Sequence, residues 1–246
     1  MTEQLQRTAL LIGWENINKL KNRRVAVFGV GGVGGHAAEA LCRSGIGNID
    51  VYDGDVVDIT NINRQLIATS KTIGRDKVDV MRERLLEINP DAVVNAFKLF
   101  YLPETAERID LSIYDYIVDA VDTMTAKLEL VSRAASLNVP IICSMGAANK
   151  LDPAAFEVAD IFKTSVCPMA RIMRNELRKL GIKSLKVVYS KESPGKHEND
   201  SAISSVPGTV EPPLRAQNRP LPASIAFVPP VAGLILAGEV VKDLIT

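Results

Sequence analysis

The chain has 246 residues, 47% apolar and 24% charged, and its Lys plus Arg and Asp plus Glu are equal at 29 each. That balance excludes a protein steered as a whole toward nucleic acid or anionic membrane, and leaves such work to local patches. The length suits one α/β core with a small appendage, so a single domain over 1–246 is expected, and Cys42, Cys143 and Cys167 lack the paired spacing of a zinc site.

Residues 4–20 read as an amphipathic helix or pair of helices, with Leu10, Leu11, Trp14 and Ile17 spaced for one face. This is an N-terminal arm (1–22), and an arm ahead of a first strand often packs on a neighbour. No uninterrupted apolar signal segment stands here, and with three unpaired cysteines the expected location is cytoplasmic. The expected core (23–150) opens with the strand Val25 to Phe28, the turn with Gly29, Gly31 and Gly34, and a helix to about Arg43. The glycines have the spacing of a nucleotide-binding turn between strand and helix, where a phosphate meets unpaired N–H groups and the positive end of a helix. A second strand ends at the carboxylate of Asp53, and the polar loop that follows carries Asp55, Asn61, Asn63, Arg64 and Gln65. Asp58 and Asn61 have the character of turn or cap residues.

Lys77 to Ile88 is predicted as a helix, 92–99 as strand three, 103–109 as a short helix, and 116–121 as a strand ahead of Asp122. Then come a helix over 125–137 and strand five over 140–145. Gly29, Asp53 and Asp122 all fall at carboxyl ends of strands, where open α/β sheets bind ligands. The extension (151–246) holds strands over 156–162 and 184–189, a helix over 168–180, an aperiodic loop over 190–224 rich in Pro, Ser, Gly and Asn, a strand over 226–228 and a helix over 231–244. Pro229, Pro230, Glu239, Lys242 and Asp243 interrupt the apolar C-terminal stretch, so no integral membrane segment is expected. Between Lys163 and Lys196 nine basic residues stand against two acids. Arg171, Arg174 and Arg178 recur at helical spacing, suited either to a polyanion such as RNA or to an ordinary solvated face.

The glycine turn alone permits a dehydrogenase. Asn61, Asn63, Arg64, Gln65, Arg75 and Lys77 instead suggest a phosphate grip, and an acid at Asp122 could hold Mg²⁺ against those phosphates. Together they favour activation of a carboxylate by ATP.

The stretches Arg7 to Gly13, Val27 to Gly34, Asp53 to Gln65, Gly74 to Asp79, Asp119 to Lys127, Lys186 to Glu192 and Phe227 to Ile245 carry a resemblance to the adenylating superfamily of molybdopterin- and thiamine-biosynthesis activators and ubiquitin-activating enzymes. The chain most resembles its tRNA threonylcarbamoyladenosine dehydratase branch. The resemblance implies a Rossmann-like ATP-binding α/β sheet, its N-terminal half parallel and extended by antiparallel strands, with helices on both faces. It implies that Asp53 binds the ribose and that Gly31 and Gly32 approach the phosphates. Asn63, Arg64 and Lys77 would orient and neutralise the triphosphate with Gln65 alongside, and Asp55 and Asn61 belong to the same loop. Asp122 would hold Mg²⁺, and Arg7 would reach the site of a second subunit in a homodimer. The implied substrate is the threonylcarbamoyl group on the adenosine beside a tRNA anticodon, with the basic helix against the tRNA backbone. An accessory sulfur-transfer protein is a further partner in view.

Two positions depart from the pattern: Cys167 stands where aspartate is usual in this branch, and Thr123 where asparagine is common in the superfamily. Cys167 keeps a rival open, an adenylyltransferase that activates the C-terminus of a ubiquitin-like sulfur carrier with Cys167 as relay. A nucleotide-sensing RNA-binding module without turnover is the non-enzymatic alternative.

Overall fold

The structure, a computed structural model, describes residues 3–195 and 222–246. Seven strands form one sheet in the order β3-β2-β1-β4-β5-β7-β6. They are β1 (Arg24–Phe28), β2 (Asn48–Tyr52), β3 (Val93–Phe97), β4 (Tyr116–Asp119), β5 (Ile141–Ser144), β6 (Phe156–Asp160) and β7 (Lys186–Ser190). β7 continues the parallel sheet beside β5, so the extension is antiparallel at β6 alone.

Side chains alternate across a strand, and on β1 the alternation serves two buried faces. Val25 and Val27 join the cluster under α3 (Gly34–Arg43), α4 (Lys77–Ile88) and α8 (Pro229–Ile245). Ala26 and Phe28 join the opposite cluster with α5 (Pro103–Ala106) and α6 (Met124–Ser136), and α7 (Pro168–Lys179) covers the extension. Helices therefore lie on both faces, as expected. α8 is fastened to the sheet by Lys186, which meets Glu239 at 3.1 Å and Asp243 at 2.8 Å, and by the Tyr116 hydroxyl, which donates to Asp243 at 2.7 Å.

The arm is two helices, α1 (Gln6–Ile12) and α2 (Trp14–Lys21), broken at Gly13, whose φ is +83°. Of the predicted face only Ile17 packs. Leu5, Ala9 and Ile17 are buried together, whereas Leu10 and Leu11 are each 85% exposed and Trp14 is 44% exposed. Within α1 it is Ala9 and Ile12, not Leu10 and Leu11, that face the packed side with Leu5.

The predicted strand over 226–228 does not form. Ala226 and Phe227 make a turn, and the proline pair opens α8 at once, since proline is tolerated where a helix has no N–H partner to lose. β4 stops two residues early because the Asp119 carboxylate accepts the Val121 N–H and turns the chain. β6 ends likewise, where Asp160 accepts from Phe162 N–H. Most of the predicted 190–224 loop lies outside the described residues.

Candidate active site

Strand order reverses direction at β1 and β4, where a parallel sheet leaves a crevice beyond its carboxyl ends. Phe28 pairs with Tyr52 on one side and with Asp119 on the other, so the residues following β1, β2 and β4 emerge along one edge. Gly29 N–H donates to Tyr52 O at 2.7 Å, and Ala120 N–H donates to Phe28 O at 2.8 Å. Gly29 has a φ of +84°, and a Cβ there would stand 2.8 Å from the carbonyl oxygen of Ala120. At Gly34 a Cβ would fall 1.8 Å from Gly29 O, so only glycine lets α3 start this close to the turn. At Gly31 the nearest atom to such a Cβ is Gln65 Nε2, 3.7 Å away, so packing does not require glycine there.

Asp53 braces this turn. One carboxylate oxygen accepts Val30 N–H and the other Asp55 N–H, both at 2.9 Å. Burial raises its pKa above the ordinary carboxylate value, against the pull of Lys77 and the two N–H donors. Lys77, the first residue of α4, is 6% exposed, and its ammonium meets Asp55 Oδ2 at 2.9 Å. The fold thus supplies a nearly buried cation near Asp53, with a half-exposed carboxylate as its partner.

The 61–65 run divides its labour. Asn61 is buried and its side-chain oxygen accepts Asp58 N–H, while Asp58 accepts Thr60 N–H, so both act as the caps their types suggest. Asn63 donates to Ser224 O at 2.9 Å and accepts from Arg64, which also donates to Thr60 O. Arg64 has no carboxylate partner among the described residues, so its charge is available. Gln65 is 7% exposed, and its Oε1 is buried without a hydrogen-bond partner directly behind Gly31. An orphaned buried acceptor costs free energy and marks a place for a donor from a ligand or water.

Asp122 is exposed two residues past the Ala120 contact and accepts from the Thr123 hydroxyl at 3.2 Å. Among the described residues no three acidic, histidine or cysteine side chains gather as a metal cage. A lone exposed carboxylate has the chemistry to hold Mg²⁺, which is commonly held by one or two carboxylates with phosphates and water. Arg7 lies on the exposed side of α1, and no hydrogen bond or ion pair links it to the other site residues. Sequence reasoning missed the pair beneath this edge: Asp119 and Lys127, both fully buried, meet at 2.8 Å. A lysine eight residues after a strand-ending aspartate gives no sign of burial until α6 is seen to fold back over β4.

The cysteines are all buried. Burial pushes the Cys42 thiol up to about 11, and burial with Asp119 beside it pushes Cys143 well up, which disfavours thiolate at either. Cys167, the N-cap of α7, is 3% exposed and makes no side-chain cap bond. Two clefts of about 410 and 500 Å³ lie elsewhere, beside Leu5 and Asn89 and beside Tyr114 and Arg108, and neither is lined by the glycine turn.

The ThiF family profile matches residues 4–246. The chain belongs to the ThiF family. It is 48% identical to the Bacillus subtilis tRNA threonylcarbamoyladenosine dehydratase over 246 residues, which is all of this chain and 96% of that protein. The Escherichia coli enzyme of the same name is 33% identical over 219 residues, 85% of this chain and 81% of that one. Crystal structures of the E. coli enzyme with AMP and with ATP superpose on 99% of this chain and 94% of theirs, at TM-scores of 0.85 and 0.83 and 28% identity. Within the ThiF family fold, then, the edge holding Gly29, Asp53, Lys77 and Asp122 belongs to a chain whose relatives are crystallised with adenine nucleotides. No helix of the described residues is long and apolar enough to cross a membrane.

The basic segment of this ThiF-family chain is less free than its sequence suggests. Lys186 is paired with α8, Lys191 with Glu157 and Lys179 with Glu176. Arg174 donates to Thr164, and Arg178 lies over the Phe162 ring at 5.4 Å. Arg171 keeps an exposed charge, and Lys196 lies outside the described residues.

The orphaned Gln65 acceptor gives a direct prediction. Replacing Gln65 with methionine removes an unsatisfied buried group and keeps the volume, so the melting temperature stays level or rises. Nucleotide affinity falls about fivefold to tenfold, the worth of one hydrogen bond, because the Nε2 donor nearest Gly31 is lost with the amide. Calorimetric titration with ATP checks this, and an unchanged affinity would remove Gln65 from the site.

Proposed function

We propose that the protein is an ATP-dependent tRNA threonylcarbamoyladenosine dehydratase that cyclises the modification on the adenosine beside the anticodon. The observation that carries this reading is the convergence of the Gly29–Gly34 turn, Asp53, Lys77 and Asp122 on one sheet edge, in a chain nearly half identical over its full length to a relative of that name. Asp53 would accept from the ribose hydroxyls, and the N-terminal N–H groups of α3 would meet the phosphates. Lys77, released from Asp55, and Arg64 would stabilise charge on the departing diphosphate as the substrate carboxylate attacks the α-phosphorus. Mg²⁺ held by Asp122 would supply further charge neutralisation on the triphosphate oxygens. The neighbouring carbamoyl group then attacks the activated carbonyl, AMP leaves, and a ring forms with net loss of water. Tethering of both groups on one side chain removes the entropic cost of a second encounter.

Arg7 would act in the partner's site of a homodimer. Leu10, Leu11 and Trp14 on the arm and Ile59, Ile62 and Leu234 near the site leave apolar surface exposed, the kind an isologous interface covers. Arg171 and Arg178 remain the exposed arginines of α7 for tRNA phosphates, while Arg174 is engaged at Thr164. Work on tRNA accords with a cytoplasmic location. A sulfur-transfer protein as accessory has no structural feature in its support.

The deciding experiment supplies ATP, Mg²⁺ and tRNA carrying threonylcarbamoyladenosine, and measures AMP release and loss of one water from the nucleoside by mass spectrometry. Release of AMP only with a carrier protein ending in Gly-Gly would favour the relay mechanism, and uptake of NAD without ATP turnover would sink both. The buried position of Cys167 argues against a relay. Cys167→Ala is therefore expected to keep tRNA dehydration within about twofold while losing about 1 kcal/mol of stability to the small cavity. Loss of dehydration in folded Cys167→Ala protein would revive the relay.

A further inference from the structure

The short turn that presents Asp122 is tied to the buried core by one carboxylate. β4 ends at Asp119, whose Oδ2 receives the Lys127 ammonium at 2.8 Å and whose Oδ1 accepts the Val121 N–H at 3.1 Å. Both side chains are at most 1% exposed, and the fully buried Cys143 lies alongside on β5. Lys127 sits at the end of the first turn of α6, so a single aspartate fastens the end of the strand, the turn and the following helix. Ala120 is fixed from the other side, by its bond to Phe28 O and its close approach to Gly29. What remains is a four-residue span, 120–123, with the exposed Asp122 within it.

Stability alone does not account for this arrangement. Moving two charges out of water offsets most of their attraction, and apolar residues of similar size often fill such a space with no loss of stability. An apolar pair lacks an acceptor for the Val121 N–H, and that is the feature which sets the direction of the turn.

We infer that the Asp119–Lys127 pair is a positioning device for Asp122, aiming its carboxylate over the glycine turn where the metal-bound triphosphate would lie. Lys127 acts by holding Asp119, and Asp119 by holding Val121 N–H. The inference rests on the reading of Asp122 given above.

Two double variants separate positioning from support of the fold. Asp119→Leu with Lys127→Met removes both charges and the acceptor. Asp119→Asn with Lys127→Met removes both charges and keeps a side-chain oxygen for Val121 N–H. Calorimetry with ATP plus Mg²⁺, and with AMP without metal, is the readout. The leucine–methionine protein is expected to bind ATP with Mg²⁺ about tenfold more weakly, with AMP affinity unchanged, and the asparagine–methionine protein to recover most of the loss. Wild-type affinity in folded leucine–methionine protein would overturn the inference, as would equal losses in the two variants. Asp122→Ala serves as the control for the underlying reading. If it leaves Mg²⁺-dependent binding unchanged, the role of Asp122 itself is wrong; if it weakens binding and the leucine–methionine protein does not, only the positioning device fails. Should the double variants not fold, amide exchange in the wild-type chain still decides. Val121 N–H is expected to be as protected as the β4 amides, and rapid exchange there would overturn the inference.

Discussion

Lys77→Ala is expected to abolish measurable AMP formation, lowering turnover by about 10²–10³-fold, as loss of one preorganised charge or donor at an anionic transition state does. The fold should survive. The ammonium is nearly buried, but its partner Asp55 is 55% exposed on its side chain and can return to water when the lysine is gone. The first turn of α4 also keeps its backbone bond, Lys77 N–H to Asp55 O at 3.1 Å. Thermal unfolding and single-turnover AMP release, measured on the same preparation, separate the two effects. A large drop in melting temperature with a proportionate loss of activity would make Lys77 a structural residue. Lys77→Arg tests geometry: a guanidinium is longer and planar, so charge is kept but the single-point contact is not, and only partial recovery is expected.

Mixing two dead proteins should restore activity. If Arg7 completes the partner's site, Arg7→Ala and Lys77→Ala are each inactive as homodimers. A heterodimer of the two has one site with Lys77 from one chain and Arg7 from the other, while its second site lacks both. Random exchange at equal concentrations puts half the dimers in the mixed form, so recovery should approach about a quarter of wild-type activity. Recovery near zero, with subunit exchange verified, would place Arg7 in its own chain's site, and an active Arg7→Ala protein would place it outside any site. Leu10→Asp with Leu11→Asp supplies the companion test. Both leucines are 85% exposed on the helix that carries Arg7, so charging them should leave the monomer folded, shift the species in sedimentation to half mass and remove turnover. A monomeric wild-type chain with full activity would defeat this account.

Much of the site is legible without coordinates because its signals are local. A glycine that must take positive φ, as Gly29 does, and one whose Cβ would strike a carbonyl, as at Gly34, are fixed by neighbours five residues apart. Asp53 follows from the length of one helix and one strand after that turn. The parallel core follows from apolar runs such as Val25 to Phe28, which are buried on both faces and so need helices above and below. Signals that depend on orientation mislead. Leu10 and Leu11 suggest a packed face, yet α1 turns Ala9 and Ile12 inward and leaves both leucines exposed. Arg174 suggests a free charge, yet it is spent on Thr164. The triplet Ala226 to Val228 suggests a strand, yet no neighbouring strand pairs with it among the described residues.

By itself the sequence determined the glycine turn, the order of strands and helices through the core, the acid at the end of β2 and the cap at Asp58, since each is a short-range consequence of backbone sterics and side-chain period. Tertiary structure alone decided which cations are buried, paired or left free. It sank Lys127 onto Asp119, lodged Lys77 against Asp55, tied Lys186 to α8 and left Arg64 without a carboxylate among the described residues. The physical reason is that the cost of a charge depends on how much water the rest of the fold removes from around it, and that is settled only when elements distant in the chain pack together.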